Sequence, residues 1–213
     1  MFRNESWFPV RLPALCLVLL TAAGTASAME STRVVIEGGV LRPLAELGAA
    51  YEPVNFGLGA GDGYEVGFGL RYPVAKAWVI SPAFHFVDFE RHVLTDAAEN
   101  EFRTEALSYR TTAELMWSPE GREGGLRALL AVGGGLYRNR VVGYYDDPAI
   151  EERNDTVNTF GWYLRWGFRS DSFEVSFLWN RNTVRTWRYF EADERGKYGW
   201  HSLGVRLGYL LPW

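Results

Sequence analysis

The sequence ends with HSLGVRLGYLLPW, residues 201–213, and this stretch alternates between two kinds of residue. One parity is apolar or aromatic and consists of Leu203, Val205, Leu207, Tyr209, Leu211 and Trp213. The other parity consists of Ser202, Gly204, Arg206, Gly208 and Leu210. Because successive side chains of a β-strand point to opposite faces, the stretch is predicted to be a strand with one apolar face. Such a face needs either a protein core or a lipid environment.

The beginning of the chain has the features of an export signal. Arg3 and Arg11 supply positive charge, an apolar stretch follows, and Ala26–Ala28 offers the small-x-small pattern of a signal peptidase site. The apolar stretch is shorter than the roughly 20 residues that span a bilayer. We therefore expect a cleaved signal peptide over residues 1–28 and one folded domain over residues 29–213.

Composition narrows the class of this domain. The whole chain carries a formal net charge of −4, which gives no support for nucleic-acid binding. Its one cysteine, Cys16, lies in the expected signal peptide, so no disulfide is expected. No stretch after residue 28 is long and apolar enough for a membrane helix, so a membrane-spanning domain would have to be a closed β-barrel.

Eight segments along the chain have strand-like alternation. We predict strands near residues 33–41, 63–74, 77–91, 106–118, 126–139, 157–169, 173–185 and 199–213. Short turns such as SDS (170–172) alternate with long polar connections such as LTDAAENEFRTEA (94–106). This layout predicts an all-β fold, an eight-stranded antiparallel up-and-down transmembrane β-barrel.

The volume of the apolar face decides which way it points. The sixth segment sets Phe160, Trp162 and Trp166 against Arg165 and Arg169, and alternation of this kind fits either an apolar interior or an apolar exterior. An eight-stranded barrel has an interior just wide enough for its own side chains. The apolar parity holds too many tryptophans to fit: Trp78, Trp117, Trp162, Trp166, Trp179 and Trp213. We therefore expect this face to contact lipid.

Aromatic residues are expected to form two rings at the edges of the lipid-facing surface. The ring beside the short turns comprises Tyr72, Trp78, Trp117, Phe168, Phe173 and Trp213. The ring near the long loops comprises Tyr64, Tyr109, Phe160 and Trp162. The alternation of the first, third and fifth segments is less regular, so it predicts the orientation of their side chains less directly.

The opposite parity places charged residues in the lumen. The acidic ones are Glu37, Glu65, Glu114 and Glu174, and the basic ones are Arg71, Arg110, Arg165, Arg169 and Arg206. An unpaired charge in a narrow interior costs several kcal/mol. Four acids facing five bases therefore predict an ionic network that fills the lumen, and a gated ion path is the alternative.

These features together resemble the small outer-membrane β-barrels of Gram-negative bacteria, the OmpA/OmpX-like group, over the whole of residues 29–213. The resemblance implies a monomer in the outer membrane, with periplasmic termini and four outward loops, surrounded by lipid and lipopolysaccharide. It also implies that the barrel-assembly machinery recognises the last strand through Val205, Leu207, Tyr209, Leu211 and Trp213. Pro212 departs from the usual pattern, since proline cannot donate a ladder hydrogen bond.

The function implied is a structural or surface-interaction role, through envelope integrity or adhesion by the extracellular loops. A lipid A-modifying enzyme and a narrow channel for ions or small solutes are the alternatives. Catalysis has little support, because the adjacent His201 and Ser202 point to opposite faces of a strand. His85, expected in the lumen, and His92, expected at a loop base, have no evident partner in the sequence.

Metal binding has equally little support. The acidic loop lacks the regular spacing of a calcium loop; its acidic residues are Asp146, Asp147, Glu151, Glu152 and Asp155. We therefore predict no catalytic residue, no metal site, no cofactor and no nucleic-acid partner.

Overall fold

The structure is a computed structural model that describes residues 32–48, 58–95, 101–119, 125–145, 153–187 and 195–211. Several predictions concern residues outside these ranges: the signal peptide, Pro212, Trp213, and the loop acids Asp146, Asp147, Glu151 and Glu152. Within the described ranges, no helix combines the length and the hydropathy needed to cross a membrane.

Strands make up nearly all of the described chain. They are β1 (Arg33–Leu44), β2 (Gly63–Ala75), β3 (Trp78–Thr95), β4 (Glu101–Trp117), β5 (Arg127–Tyr145), β6 (Arg153–Arg169), β7 (Phe173–Arg181), β8 (Thr183–Trp187), β9 (Arg195–Gly199) and β10 (His201–Leu210). A four-residue helix, α1 (Ala45–Gly48), follows β1. Alternating side chains explain this content, because each strand can present one polar and one apolar face.

Eight of these strands close into a barrel in the order β1-β10-β7-β6-β5-β4-β3-β2. Every neighbouring pair is antiparallel, and the first strand closes on the last with a register running from Val35↔Leu210 to Leu44↔His201. Closure leaves no unpaired sheet edge. The predicted eight-stranded antiparallel barrel is therefore confirmed, and with it the resemblance in fold to small outer-membrane barrels.

The strands extend further on the loop side than the sequence predicts. The third segment is predicted to end near residue 91 and the fourth to begin near residue 106, whereas β3 continues to Thr95 and β4 begins at Glu101. Backbone hydrogen bonds do not depend on the side-chain pattern, so the ladder continues where apolar and polar residues no longer alternate regularly. Apolar alternation disappears at that point, which is why the prediction stopped short.

The seventh predicted strand is interrupted. β7 ends at Arg181 and β8 begins after Asn182, and the same break separates β9 from β10 at Trp200. The backbone N–H of Trp200 donates to the carbonyl oxygen of Asn182 over 2.9 Å, so the two chains remain joined at the break. The β8–β9 hairpin thus continues the barrel wall on the loop side as a separate two-stranded sheet.

Large apolar side chains cover the outer surface of the barrel. Val40, Phe68, Phe160 and Leu207 are 64%, 60%, 65% and 58% exposed. The strands with less regular alternation follow the same rule, since Ile36 of β1 faces outward while its neighbour Val35 is buried. A contiguous apolar exterior of this extent is rare on a protein surrounded by water.

The interior is layered along the barrel axis. Beside the short turns lies an apolar layer of Val79, Met116, Leu129 and Ala131. The charged residues occupy the middle. On the loop side a larger apolar cluster includes Leu41, Leu47, Leu58, Val87, Phe89, Tyr198 and Trp200. Among the described residues, buried side chains therefore occupy the lumen in three layers along the axis.

The α1 helix and residues 58–60 fold over the loop-side mouth of the barrel. The backbone N–H of Leu58 donates to the carbonyl of Glu46 over 2.8 Å, and that of Ala60 donates to the carbonyl of Leu47 over 2.9 Å. Leu47 and Leu58 are fully buried as a result. They cap the interior at this end.

Two lumen glycines make room for tyrosine rings. A Cβ atom at Gly133 would lie 2.3 Å from Cζ of Tyr163, its partner across the β5–β6 ladder. A Cβ atom at Gly161 would lie 2.5 Å from a ring carbon of Tyr137. Both contacts are shorter than van der Waals distance, so only glycine lets these rings lie across the narrow lumen.

Candidate functional site

The residues predicted for the lumen lie inside the barrel. Eight of the nine are at most 3% exposed: Glu37, Glu65, Arg71, Arg110, Glu114, Arg165, Glu174 and Arg206. The side chain of Arg169, nearer the short turns, is 12% exposed. Strand alternation alone accounts for this placement, because every one of these residues has the inward parity of its strand.

Glu37 of β1 lies at the centre of the charged layer. Its Oε1 accepts hydrogen bonds from Nη2 of Arg71 and from Nη1 of Arg165, each over 2.7 Å. Its Oε2 lies 2.8 Å from Nε2 of His85 and 3.8 Å from Nη1 of Arg206. One carboxylate therefore contacts basic groups from four other strands.

Glu174 and Glu114 extend the network toward the short turns. Arg71 donates to both oxygens of Glu174, over 3.2 Å from Nε and 2.8 Å from Nη2. Nη2 of Arg165 bridges the two acids, at 2.8 Å from Glu114 and 3.2 Å from Glu174. The hydroxyl of Tyr163 donates to the other oxygen of Glu114 over 3.1 Å. Shared partners make these groups one unit and not a set of separate pairs.

Glu65 and Arg206 form a bidentate pair toward the loop side of the network. Nε and Nη2 of Arg206 donate to the two carboxylate oxygens of Glu65, over 2.6 and 3.1 Å. Arg110 is held less tightly, because its Nη1 lies 4.0 Å from Glu65 and its Cζ lies 4.9 Å from the ring centre of Tyr137. A cation over an aromatic face is attracted by the ring quadrupole. This attraction partly compensates Arg110 for the lack of a hydrogen bond to Glu65.

The formal charges of the layer balance. Four buried glutamates face four buried arginines, and Arg169 lies at the border 3.9 Å from Glu174. Burying a charge is costly unless it is paired and hydrogen-bonded, and each of the four carboxylates accepts a hydrogen bond from an arginine. The network links β1, β2, β3, β4, β6, β7 and β10 from within, so it can hold the barrel in one shape.

Sequence reasoning missed several members of the network. Ser81, which accepts a hydrogen bond from Nη1 of Arg71, has no charge that would mark it. His85 was expected to have no evident partner, and this is wrong because it contacts Glu37. Glu37 and His85 lie on either side of Gly67 in the β1–β2–β3 ladder, and glycine leaves the space between them open. A polar residue of inward parity facing a glycine across the ladder is the signal that could have found it.

The side chains considered for catalysis do not come together. Ser202 is fully buried and accepts a hydrogen bond from Nδ2 of Asn180 over 3.4 Å, whereas its neighbour His201 is partly exposed on the outer face. The side chain of His92 is outside the described residues. Among those that are described, no group of three histidine, cysteine, aspartate or glutamate side chains is arranged to hold a metal ion.

The last strand has the outward face expected from its alternation. Val205, Leu207 and Tyr209 of β10 are exposed on the outer surface. Leu211 follows the strand, and its N–H donates to the carbonyl of Val34 over 2.9 Å. The predicted assembly signal is therefore part of the barrel wall up to Leu211, and Trp213 is outside the described residues.

Comparison with known proteins gives a likeness of fold. No protein-family model and no curated protein matches the sequence. The N-terminal β-barrel domain of Pseudomonas aeruginosa OprF is similar at 12% sequence identity and a TM-score of 0.49, covering 84% of this chain and 97% of that one. Yersinia pestis Ail, the attachment invasion locus protein, is similar at 11% identity and a TM-score of 0.47, with coverage of 84% and 97%. Neisserial surface protein A is similar at 9% identity and a TM-score of 0.44, with coverage of 84% and 96%.

Proposed function

We propose that the protein is an integral outer-membrane β-barrel with a structural or surface-interaction role, exported by a cleaved signal peptide over residues 1–28. The observation that carries this proposal is the inverted distribution of polarity. Paired charges fill the interior, and apolar side chains cover the exterior. A closed barrel also satisfies every ladder hydrogen bond internally, as lipid demands of a strand-built span. Lipid is the environment in which such a surface is stable.

The filled interior favours a structural role over transport. Apolar layers close both ends of the charged layer, and Leu47 and Leu58 cap the loop-side mouth. An ion crossing the lumen would have to separate paired charges that lie out of water, at a cost of several kcal/mol. The surface available for contacts with other molecules is then the loop side, where β8 and β9 present exposed charged residues such as Arg185 and Lys197.

Orientation in the membrane can be tested with single cysteines, since the mature chain is expected to have none. Glu90 is exposed at the loop side, and Lys76 is exposed in the short turn between β2 and β3. A membrane-impermeant maleimide added to intact cells should label the Glu90→Cys variant and should label the Lys76→Cys variant only after the outer membrane is opened. The reverse pattern would invert the topology, and equal labelling of both variants in a soluble fraction would overturn the membrane assignment.

The closed lumen predicts no conductance. Purified protein in planar lipid bilayers should give no current steps above those of bare lipid, because buried side chains occupy the narrow lumen of the described barrel. Lipid A extracted from cells that overproduce the protein should keep its mass and its acyl chains. Regular unit conductance would favour the channel alternative, and loss of an acyl chain from lipid A would favour the enzyme alternative.

A further inference from the structure

An apolar groove lies on the outer surface of the barrel across β1, β10, β7 and β6. Its volume is about 410 Å³, and its apolar, outward-facing lining consists of Val40, Trp166, Phe177, Leu203 and Val205. The ladder places these residues side by side, since Val205 pairs with Val40 on one side and with Phe177 on the other. Phe177 in turn stacks on Trp166, with ring centres 6.0 Å apart. The groove is thus a feature of the barrel wall and not of a loop.

Two arginines lie on the loop side of this groove, one in its lining and one beyond it. Arg42 of β1 lines it directly and pairs in the ladder with Leu203. Arg181 ends β7, two strands away from β1. Neither guanidinium forms an ion pair or a hydrogen bond within the part of the chain that the structure describes. Both charges are therefore available to a ligand, unlike the arginines of the interior.

Within the described ranges, few other titratable groups lie near the groove. His201 of β10 lies on the strand between the two arginines. Asp62 lines the groove beside Arg42, and the Glu46 carboxylate accepts a hydrogen bond from the backbone N–H of Gly199 over 2.9 Å. Neither acid forms an ion pair with Arg42 or Arg181 in the described part of the chain. The negative charge of Asp62 repels an anion, so a phosphate is expected to approach Arg42 from the side of Arg181.

The two arginines lie at the height of the loop-side aromatic ring. Arg181 pairs with Trp162 across the β6–β7 ladder, and Arg42 is the next outward residue after Val40, which pairs with Tyr64. Interfacial aromatic residues mark the level of lipid headgroups in a membrane barrel. The groove therefore lies at the level of acyl chains, and the guanidinium groups lie at the level of headgroup phosphates.

We propose that this face binds one molecule of lipid A, with an acyl chain in the groove and headgroup phosphate on Arg42 and Arg181. The inference rests on the proposed membrane function and adds a specific ligand to it. Arginine recognises phosphate with paired, charge-assisted hydrogen bonds. β1 and β7 are two inter-strand spacings apart, and Arg181 lies two residues further toward the loops than Arg42, so the two backbones are roughly 12 Å apart and both long side chains can reach one headgroup. The loop side, by the proposed topology, meets the leaflet in which lipid A is found.

Native mass spectrometry of the mature protein in detergent, titrated with bisphosphorylated lipid A, tests this site. The Arg42→Gln/Arg181→Gln double variant should bind at least about tenfold more weakly than the parent. The matched control is Arg138→Gln/Arg140→Gln, which removes the same charge from the exposed face of β5, away from the groove. Equal weakening by the two double variants would show only a general charge effect and would overturn the site.

A second pair of variants tests the groove itself. Val205→Trp fills the groove without adding charge and should reduce lipid A binding about tenfold, whereas Leu115→Trp on the exposed face of β4 should leave binding unchanged. Phosphatidylglycerol that binds as tightly as lipid A, or inorganic phosphate that displaces it, would overturn the assignment to lipid A. Unchanged binding in Val205→Trp would overturn the groove.

Failure of this proposal is distinguishable from failure of the membrane function. Every variant is first checked for the heat-dependent shift in gel mobility that marks a folded barrel. The cysteine labelling on intact cells is independent of lipid A binding. Loss of lipid A binding with normal labelling would overturn only the lipid site.

Discussion

Replacing Glu37 with glutamine should lower the free energy of unfolding by about 3–5 kcal/mol, the cost of leaving buried charges without their partner. Glu37 is nearly unexposed and contacts Arg71, Arg165 and His85 within 2.8 Å. Glutamine keeps almost the same shape and removes the negative charge, so the buried layer acquires an excess positive charge. Urea titration of the folded barrel in lipid vesicles would measure the change.

A matched control and a double variant separate charge from packing. Glu90→Gln removes the same charge from an exposed site and should change stability by less than about 0.5 kcal/mol. Combining Glu37→Gln with Arg165→Gln restores the charge balance. The double variant should lose less stability than the sum of the losses in the two single variants. If Glu37→Gln is as stable as Glu90→Gln, the network does not hold the barrel together.

Replacing Leu207 with arginine should block assembly or destabilise the barrel by roughly 2–4 kcal/mol, the cost of a cation facing the middle of a bilayer. Leu207 is 58% exposed on the outer face of β10, between Gly38 of β1 and Val175 of β7. In water the same substitution at an exposed leucine would be neutral or would improve solubility. A loss of stability in Leu207→Arg would therefore indicate that lipid, and not water, surrounds this face.

Refolding yield in lipid vesicles, followed by the gel-mobility shift, measures this effect. Leu207→Met keeps the surface apolar and should refold like the parent protein. Equal yields of the Leu207→Arg and Leu207→Met variants would contradict a lipid-facing β10. The neighbouring Arg206 makes the contrast sharper, because it carries a charge one residue away and is stable there through its bidentate pair with Glu65.

Much of the charged site could be predicted because inward and outward positions follow from parity alone. The alternation of the sequence predicts that Glu37, Arg71 and Arg165 face inward, and all three are buried. The same reasoning did not reach Tyr163 or His85 as partners, since an uncharged side chain at an inward position gives no electrostatic signal. The longer strands β3 and β4 escaped prediction because the ladder continues where apolar alternation has ended.

By itself, the sequence determined the fold class and, for the strands with regular alternation, the side of the wall on which each residue lies. Both depend on local alternation and on side-chain volume, because an eight-stranded barrel cannot enclose so many tryptophans. Only the tertiary structure decided which charges meet, and it also brought together the outer groove and its two arginines. Glu37 and Arg165 are 128 residues apart in the chain, and they touch because closure of the barrel and the register of each strand pair set their heights in the lumen. Register is a property of paired strands, so no single segment contains it.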